Sequence, residues 1–136
     1  MWALIDSSVY IGHWERGLYE SALAEVRASF VIRHSAVVLS ELRRGARTRG
    51  AGRTVNRLHA LAREAWEPTP KDWEEAGQII RTVGDAHDWD LSKRRDFQND
   101  TLIALTARRH GATVVTANRG DFELLGKRLG VSVFAV

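Results

Sequence analysis

The sequence contains no cysteine and only two prolines, Pro68 and Pro70. The absence of cysteine excludes disulfides, thiolate zinc sites and thiol catalysis, and it gives no support to an oxidising compartment. No stretch approaches the ~20 consecutive apolar residues that a membrane-spanning helix needs. The first apolar run, Met1–Ile5, is also too short for a secretory signal. We therefore expect a cytoplasmic protein with no membrane partner.

The chain as a whole lacks a strong excess of charge of either sign. Lysine and arginine number 20 against 17 acids, which gives a net charge of +3. That excess alone does not argue for a nucleic-acid partner. The distribution is uneven, however, because residues 43–63 carry seven arginines and no acid, whereas residues 64–100 are rich in acids. One segment is therefore locally basic in a nearly balanced chain.

The length of 136 residues suits one domain, since domains cluster at ~100–150 residues. Apolar residues make up 44% of the chain and charged residues 27%, as in an ordinary globular protein. There is no long linker, repeat or low-complexity tract. We expect a single domain over residues 1–136 with a sizeable core of its own.

Short apolar runs and amphipathic segments alternate along the chain. Trp2–Ile5 is an unbroken apolar run, which is typical of a strand buried on both faces. Strands separated by helices pair in parallel and carry helices on both faces of the sheet, so the pattern predicts an α/β fold. The predicted strands are 2–5, 30–32, 113–116 and 131–136, and the predicted helices are 21–28, 36–47, 53–65, 72–83, 101–110 and 121–129.

Several residues are predicted to bound these helices. Gly50 and Gly52 are expected to break the chain before the helix at 53–65, and Asp72 to cap the helix that follows. The helix at 101–110 is apolar almost all round, which predicts a place in the core. Asn99 or Asp100 is expected to cap its start.

Four acids fall in locally apolar segments. Asp6 ends the first strand, Glu41 lies in the helix after the second strand, and Asp100 and Asp121 lie on either side of the third strand. Sites in open α/β sheets form outside the carboxyl ends of the strands, so we expect these carboxylates to converge. Converging like charges destabilise one another, and a divalent cation compensates for the repulsion. Carboxylates without cysteine or a histidine cluster favour Mg²⁺ or Mn²⁺.

Each acid also has a simpler interpretation. Asp6 could form a turn, Asp100 and Asp121 could be helix caps, and Glu41 could be a solvated helix residue. If the four do converge, the chemistry that fits best is phosphodiester hydrolysis, in which metal ions activate water and neutralise phosphate. Polar residues close to the acids in sequence would then support them or contact phosphate, or would simply be turn residues; these are Ser8, Thr116 and Asn118.

Four short motifs occur in order along the chain. They are Leu-Ile-Asp-Ser-Ser-Val at 4–9, Val-Leu-Ser-Glu-Leu-Arg-Arg-Gly at 38–45, Asn-Asp-Thr-Leu-Ile-Ala-Leu-Thr-Ala at 99–107, and Val-Thr-Ala-Asn-Arg-Gly-Asp-Phe at 115–122. With these motifs the sequence resembles the PIN-domain ribonucleases, and most closely the VapC toxins of bacterial toxin–antitoxin pairs. Each motif alone is weakly specific, but four in register within one short chain are strongly so.

The resemblance implies a three-layer α/β/α sandwich with a central, mainly parallel sheet. It also implies a metal site of Asp6, Glu41, Asp100 and Asp121 that binds Mg²⁺ or Mn²⁺. Glu41 would either ligate the metal or help to activate the attacking water. Asp96, four residues before Asp100, is expected to reach the site or the substrate. The implied partners are an RNA substrate, a cognate antitoxin and a second copy of the chain in a homodimer.

The basic segment has more than one interpretation. Its arginines could form a phosphate track for RNA, pair with an acidic antitoxin segment, or cover a solvated helical face; the candidates are Arg43, Arg44, Arg47 and Arg53. Tryptophans could stack on single-stranded RNA bases or belong to the core or an interface, and these are Trp14, Trp66, Trp73 and Trp89.

The leading hypothesis is a metal-dependent endoribonuclease toxin that cleaves RNA phosphodiester bonds and is inhibited by a cognate antitoxin. The alternative is a catalytically silent PIN-like RNA-binding module, against which the presence of all four acids argues. A phosphotransfer receiver-like domain is disfavoured, because the final segment 131–136 has no lysine and the first strand has no pair of acids.

Overall fold

The computed structural model describes residues 1–136, which form four strands and seven helices. In chain order these are β1 (Trp2–Ile5), α1 (Ser7–Arg16), α2 (Glu20–Ser29), β2 (Val31–Arg33), α3 (Ala36–Gly45), α4 (Arg49–Leu61), α5 (Pro70–Ala86), α6 (Leu91–His110), β3 (Thr113–Thr116), α7 (Arg119–Leu129) and β4 (Val133–Ala135).

The four strands form one entirely parallel sheet in the order β2-β1-β3-β4. Ala3 in β1 pairs with Ile32 on one side and with Thr113 on the other. The helices flank this sheet and complete a three-layer α/β/α sandwich, which confirms the predicted fold class. Because β1 and β3 are neighbours that run in the same direction, their carboxyl ends lie side by side.

The core lies where the two central strands meet the second half of α6. Leu4, Val114 and Ile103 are fully buried, and α6 packs against α5, α7 and β3. The expected burial of the apolar helix is thereby confirmed, with every residue from Thr101 to Ala107 buried. None of the seven helices combines the length and the apolar character needed to cross a membrane.

The start of this core helix was predicted wrongly. α6 begins at Leu91 and is capped by Asp90, whose Oδ1 accepts a hydrogen bond from the Lys93 amide at 2.8 Å. Asp100 therefore lies in the middle of the helix and caps nothing. The first half of α6 is polar and largely exposed, so its sequence lacks the apolar pattern that reveals the second half.

Two further helix starts also differ from the prediction. Gly50 and Gly52 lie inside α4, which begins at Arg49, so they do not break the chain. In α5 the cap is Thr69, which exchanges hydrogen bonds with Asp72 in a capping box. Pro70 is the first residue of α5, because the fixed backbone angle of proline suits the first position of a helix.

A short helix directly after the first strand, α1, was not predicted. Its N-cap is Asp6, whose Oδ1 accepts a hydrogen bond from the Ser7 amide at 2.9 Å. Likewise α7 begins at Arg119, which places Asp121 inside its first turn. Helix starts at both strand ends turn the chain away from the sheet and leave these acids at its carboxyl edge.

Candidate active site

Asp6 lies at the carboxyl end of β1, where it is only 3% exposed. Its Oδ2 accepts hydrogen bonds from Ser8 Oγ at 2.6 Å and from Thr116 Oγ1 at 3.0 Å. Thr116 is the fully buried last residue of β3, and its Oγ1 also accepts from the Asn118 amide at 2.9 Å. Side chains from the ends of both central strands therefore fix the orientation of this carboxylate.

Glu41 reaches the same edge from the middle of α3. Ser7 Oγ donates to Glu41 Oε1 at 3.3 Å, and the adjacent Asp6 is the N-cap of α1. Burial raises the pKa of Glu41, and the charge of Asp6 raises it further. Hydrogen bonds from Asn99 and Ser7 and the charge of Arg44 act in the opposite direction.

Asp100 and Asp121 are joined by one amide side chain. Asn118 Nδ2 donates to Asp100 Oδ2 at 2.9 Å and to Asp121 Oδ2 at 3.2 Å. Asp100 comes from the middle of α6, and Asp121 from the first turn of α7. The predicted support residue Asn118 thus bridges two of the four predicted acids.

The pKa of Asp100 shows how strongly the acids act on one another. Burial raises this pKa most, and the charges of Asp6, Asp121 and Glu41 raise it further, to about 8. All four predicted acids therefore lie close enough to influence one another. Their mutual repulsion is the electrostatic condition that a bound cation relieves.

Lys93 is a component of the site that sequence reasoning missed. Its Nζ donates to both carboxylate oxygens of Asp121, at 2.9 and 3.0 Å. Lys93 lies seven residues before Asp100 on α6, a spacing that puts both on the same helical face. The signal would have been visible if the helix had been predicted to begin at Leu91.

The donor chemistry of the site fits Mg²⁺ or Mn²⁺, because it consists of carboxylates with hydroxyl and amide neighbours and no sulfur. No group of three or more acidic or histidine side chains is already arranged to hold a metal ion. Asp121 is instead bonded to Lys93 and Asn118. The residues that would hold an ion are Asp6 and Asp100, with Glu41 beside them.

A comparison with protein families decides the family of this chain. The model described as "PIN domain" matches residues 3–127. The chain belongs to the PIN-domain family. No curated protein sequence matches it.

Solved structures with the same fold align with this PIN domain over nearly its whole length. VapBC-1 from nontypeable Haemophilus influenzae is 17% identical, with a TM-score of 0.73 over 99% of this chain and 98% of that one. VapBC2 from Rickettsia felis, bound to a promoter DNA fragment, is 22% identical, with a TM-score of 0.66 over 100% and 99%. VapBC-5 from Mycobacterium tuberculosis, a member of the VapBC family of toxin–antitoxin systems, is 21% identical, with a TM-score of 0.63 over 99% and 98%. At these identities the likeness concerns the fold.

A wholly polar cleft of about 520 Å³ opens beside the acidic cluster of this PIN domain, between α3 and α6. It includes Glu41, and two arginines, Arg44 and Arg95, line it. Asp96 lines this cleft together with Glu41. The remaining lining residues are Gln98 and Asn99.

A second groove, of about 600 Å³, lies between α1, α3 and α4 and also includes Glu41. It is more apolar, with Ile11 and Trp14 on one wall and Arg53 on the other. Of the other arginines predicted to bind RNA or antitoxin, Arg43 bonds to Asn56 Oδ1 at 2.7 Å. Arg47 is exposed between α3 and α4.

The tryptophans are distributed over the whole molecule. Trp14 alone lines a groove that includes an acid of the cluster. Trp66 stacks on the His110 ring at 3.8 Å and contacts Trp2. Trp2 is at the amino end of β1, so these rings lie at the edge of the sheet opposite to the acidic cluster. Trp89 packs edge-on against Phe97 at 4.8 Å. Trp73 is half-exposed on α5.

Proposed function

We propose that this PIN domain is a metal-dependent endoribonuclease that acts as a VapC-type toxin and is inhibited by a cognate antitoxin. The observation that carries the proposal is the meeting of Asp6, Glu41, Asp100 and Asp121 at one edge of the sheet. The pKa of Asp100, raised to about 8 by burial and by the other three acids, supports a site built for a cation. The VapBC origin of the similar solved structures supports the toxin assignment.

A bound Mg²⁺ or Mn²⁺ would lower the pKa of a water molecule, so that the water can lose a proton and attack as hydroxide, and would neutralise charge on the phosphate. Asp6 and Asp100 would hold the ion, because Asp6 lies at the carboxyl end of β1 and its charge acts on Asp100 in the middle of α6. Glu41, whose pKa is raised, is suited to take a proton from the attacking water. Asp121, in the first turn of α7, would add negative charge next to Asp100.

The supporting residues act by holding the carboxylates in place. Ser8 and Thr116 donate to Oδ2 of Asp6, and the Ser7 amide donates to its Oδ1, so both carboxylate oxygens are fixed in orientation. Asn118 holds Asp100 through its amide group. Ligands that are orientated by hydrogen bonds of this kind bind metal more tightly than free carboxylates.

RNA would enter through the polar cleft beside Glu41, where Arg44 and Arg95 can bind phosphate groups. Arg43, Arg47 and Arg53 would extend this basic surface or bind the antitoxin. In this proposal residues 1–136 act as one nuclease domain, the active assembly is a homodimer, and the protein works in the cytoplasm.

The proposal is tested by RNA cleavage with purified protein in Mg²⁺ or Mn²⁺ and in EDTA. Asp6→Asn and Asp100→Asn should each lower cleavage by roughly 100-fold or more, since each removes a carboxylate that would hold the ion. Asp88→Asn is the matched control, because Asp88 is exposed and has φ 53, a conformation that asparagine tolerates.

The same experiment separates the two functional hypotheses. A protein that binds RNA yet cleaves none across a full Mg²⁺ and Mn²⁺ titration would be a silent RNA-binding module. Undiminished cleavage in EDTA, or cleavage that survives in both active-site variants, would overturn the metal-dependent mechanism.

A further inference from the structure

The four acids of the cluster make only one ion pair, and it joins Lys93 to Asp121. The ammonium group bonds to both carboxylate oxygens, at 2.9 and 3.0 Å. The lysine side chain is 38% exposed and the aspartate side chain 20% exposed. A fixed positive charge therefore lies at one end of the acidic cluster.

Two aromatic rings hold the ammonium group in this position. Lys93 Nζ lies 5.0 Å from the centroid of the Trp89 ring and 5.7 Å from that of the Phe97 ring. Both distances are within the range of a cation–π attraction. Phe97 is fully buried and packs edge-on against Trp89, so the rings belong to the core and the lysine is not a freely moving surface group.

The backbone beneath Lys93 is also anchored. The helix cap Asp90 accepts from the Lys93 amide at 2.8 Å. The next residue, Arg94, donates to Asp85 Oδ1 at 2.9 Å and to the Trp89 carbonyl at 3.0 Å. The polar first turn of α6, whose role the sequence does not reveal, thus places one lysine against one acid.

We propose that Lys93 is a positioning residue that occupies Asp121 and limits this PIN domain to one divalent cation, held by Asp6 and Asp100. Two-metal sites bring their ions to within ~3.5–4 Å of each other, and a second ion here would need the oxygens that Lys93 already holds. The ammonium group thus supplies the second positive charge that another ion would otherwise provide. This inference rests on the proposed metal-dependent function.

The test is the number of Mn²⁺ ions bound per chain, measured by isothermal titration calorimetry and by electron paramagnetic resonance of the free ion. We expect the wild-type protein and Lys93→Arg to bind one ion each and Lys93→Met to bind two. Lys71→Met is the matched control, because Lys71 is exposed in the first turn of α5 and makes no ion pair. It should bind one ion.

The outcomes separate this inference from the proposed function. If Asp100→Asn abolishes a single wild-type site but Lys93→Met still binds one ion with unchanged affinity, only the role of Lys93 is overturned. Two ions on the wild-type protein would also overturn it. No binding to the wild-type protein at millimolar Mn²⁺ would overturn both. Circular dichroism confirms folding of each variant, and Lys93→Gln replaces Lys93→Met if the latter unfolds.

Discussion

At the residue scale, the crowding of charge around Asp100 makes stability depend on pH. Its pKa of about 8 in the folded chain, raised first by burial and then by Asp6, Asp121 and Glu41, compares with ~3.9 in an unfolded chain. Between these values the folded state binds more protons than the unfolded state, so the free energy of unfolding falls as pH rises. The carboxyl group costs stability fully only above its folded pKa.

We therefore expect a lower Tm at about pH 8 than at about pH 6 in EDTA. Asp100→Asn should remove most of this difference and raise the Tm at the higher pH, while Asp88→Asn should behave like the wild-type protein. Thermal unfolding followed by circular dichroism measures both effects. An identical pH dependence in the wild-type protein and Asp100→Asn would contradict the assignment of the raised pKa.

A second prediction at this scale concerns Thr116, the hydroxyl residue that links β3 to Asp6. Thr116→Val keeps the shape but removes a donor to Asp6 Oδ2 and an acceptor for the Asn118 amide. The loss should lower the free energy of unfolding by roughly 1–3 kcal/mol, because the Asn118 amide loses its acceptor and Asp6 Oδ2 keeps only the bond from Ser8. Urea denaturation measures the change.

Thr106→Val is the matched control for that substitution. Thr106 is also fully buried, but it donates only to the Leu102 carbonyl within its own helix. Such a back-bond adds little to a carbonyl that already accepts from the helix backbone, so the cost should be clearly smaller. Equal costs at both positions would show that the hydrogen bonds of Thr116 contribute no more to stability than the back-bond of Thr106 within its helix.

The sequence pointed to the acids of the cluster and to three of their hydrogen-bond partners, which are Ser8, Thr116 and Asn118, but it did not point to Lys93. Asp6 and Asp121 follow apolar strands, and parallel strands bring their ends to one edge, so local pattern and topology were sufficient. Lys93 could not be found in the same way, because its partner lies 28 residues further along the chain. Only the tertiary packing of α6 against α7 brings the two together.

At the element scale, α6 shows why a helix can be half predictable. Residues 101–107 are buried and apolar, whereas residues 91–98 are mostly exposed and polar. A pattern of apolar residues detects the first kind of helix and not the second. The sequence Asn-Asp-Thr at 99–101 resembles a cap only because the burial of the helix changes there.

The junction between α5 and α6 provides a prediction of its own. A Cβ added at Gly84 would lie 2.8 Å from Arg94 Cζ, so Gly84→Ala must move the guanidinium away from Asp85 and from the Trp89 carbonyl. At Gly77 in the same helix, an added Cβ would meet nothing within 4 Å. Gly77→Ala should stabilise the protein by about 0.5–1 kcal/mol, the usual gain from alanine in a helix.

Gly84→Ala should lack this gain and be neutral or destabilising. Paired urea melts of the two variants give the comparison. If the two alanines stabilise the protein equally, Arg94 does not anchor the start of α6. Because Arg94 follows Lys93, Gly84→Ala should also raise the number of Mn²⁺ ions bound per chain above one. This number is a second measurement on the same variant.

At the scale of the whole molecule, the net charge is only +3, but acidic and basic side chains are grouped in different places on the surface. Acids gather at the carboxyl edge of the sheet, while Arg44 and Arg95 line the cleft next to them. RNA affinity should therefore fall with salt, and Arg44→Ala and Arg95→Ala should each lower the slope of log affinity against log salt by about 0.7.

Fluorescence anisotropy with a labelled single-stranded RNA measures this slope, in an Asp100→Asn background that prevents cleavage. Arg81→Ala is the control, because Arg81 is exposed on α5 and lines neither of the two clefts beside Glu41. A slope unchanged by the cleft substitutions, or reduced as much by Arg81→Ala, would place the RNA elsewhere.

The overall topology was predictable because alternating strands and helices leave few alternatives. What was not predictable is which surfaces lie next to the acids. Residues 43–63 are one continuous basic segment in sequence, yet in space Arg44 and Arg53 line different clefts. Arg95, from a distant part of the chain, joins Arg44. The apolar groove at Trp14 likewise arises only when α1 packs against α3.

The central position of β1 has a consequence for synthesis on the ribosome. Asp6 is made 110 residues before Thr116, whose hydroxyl donates to it. β1 must therefore remain without its neighbour β3 in the nascent polypeptide while the intervening residues are added. A message interrupted before the codon of Thr116 yields a fragment without the assembled acidic edge, so the proposed nuclease activity begins only after β3 has been made.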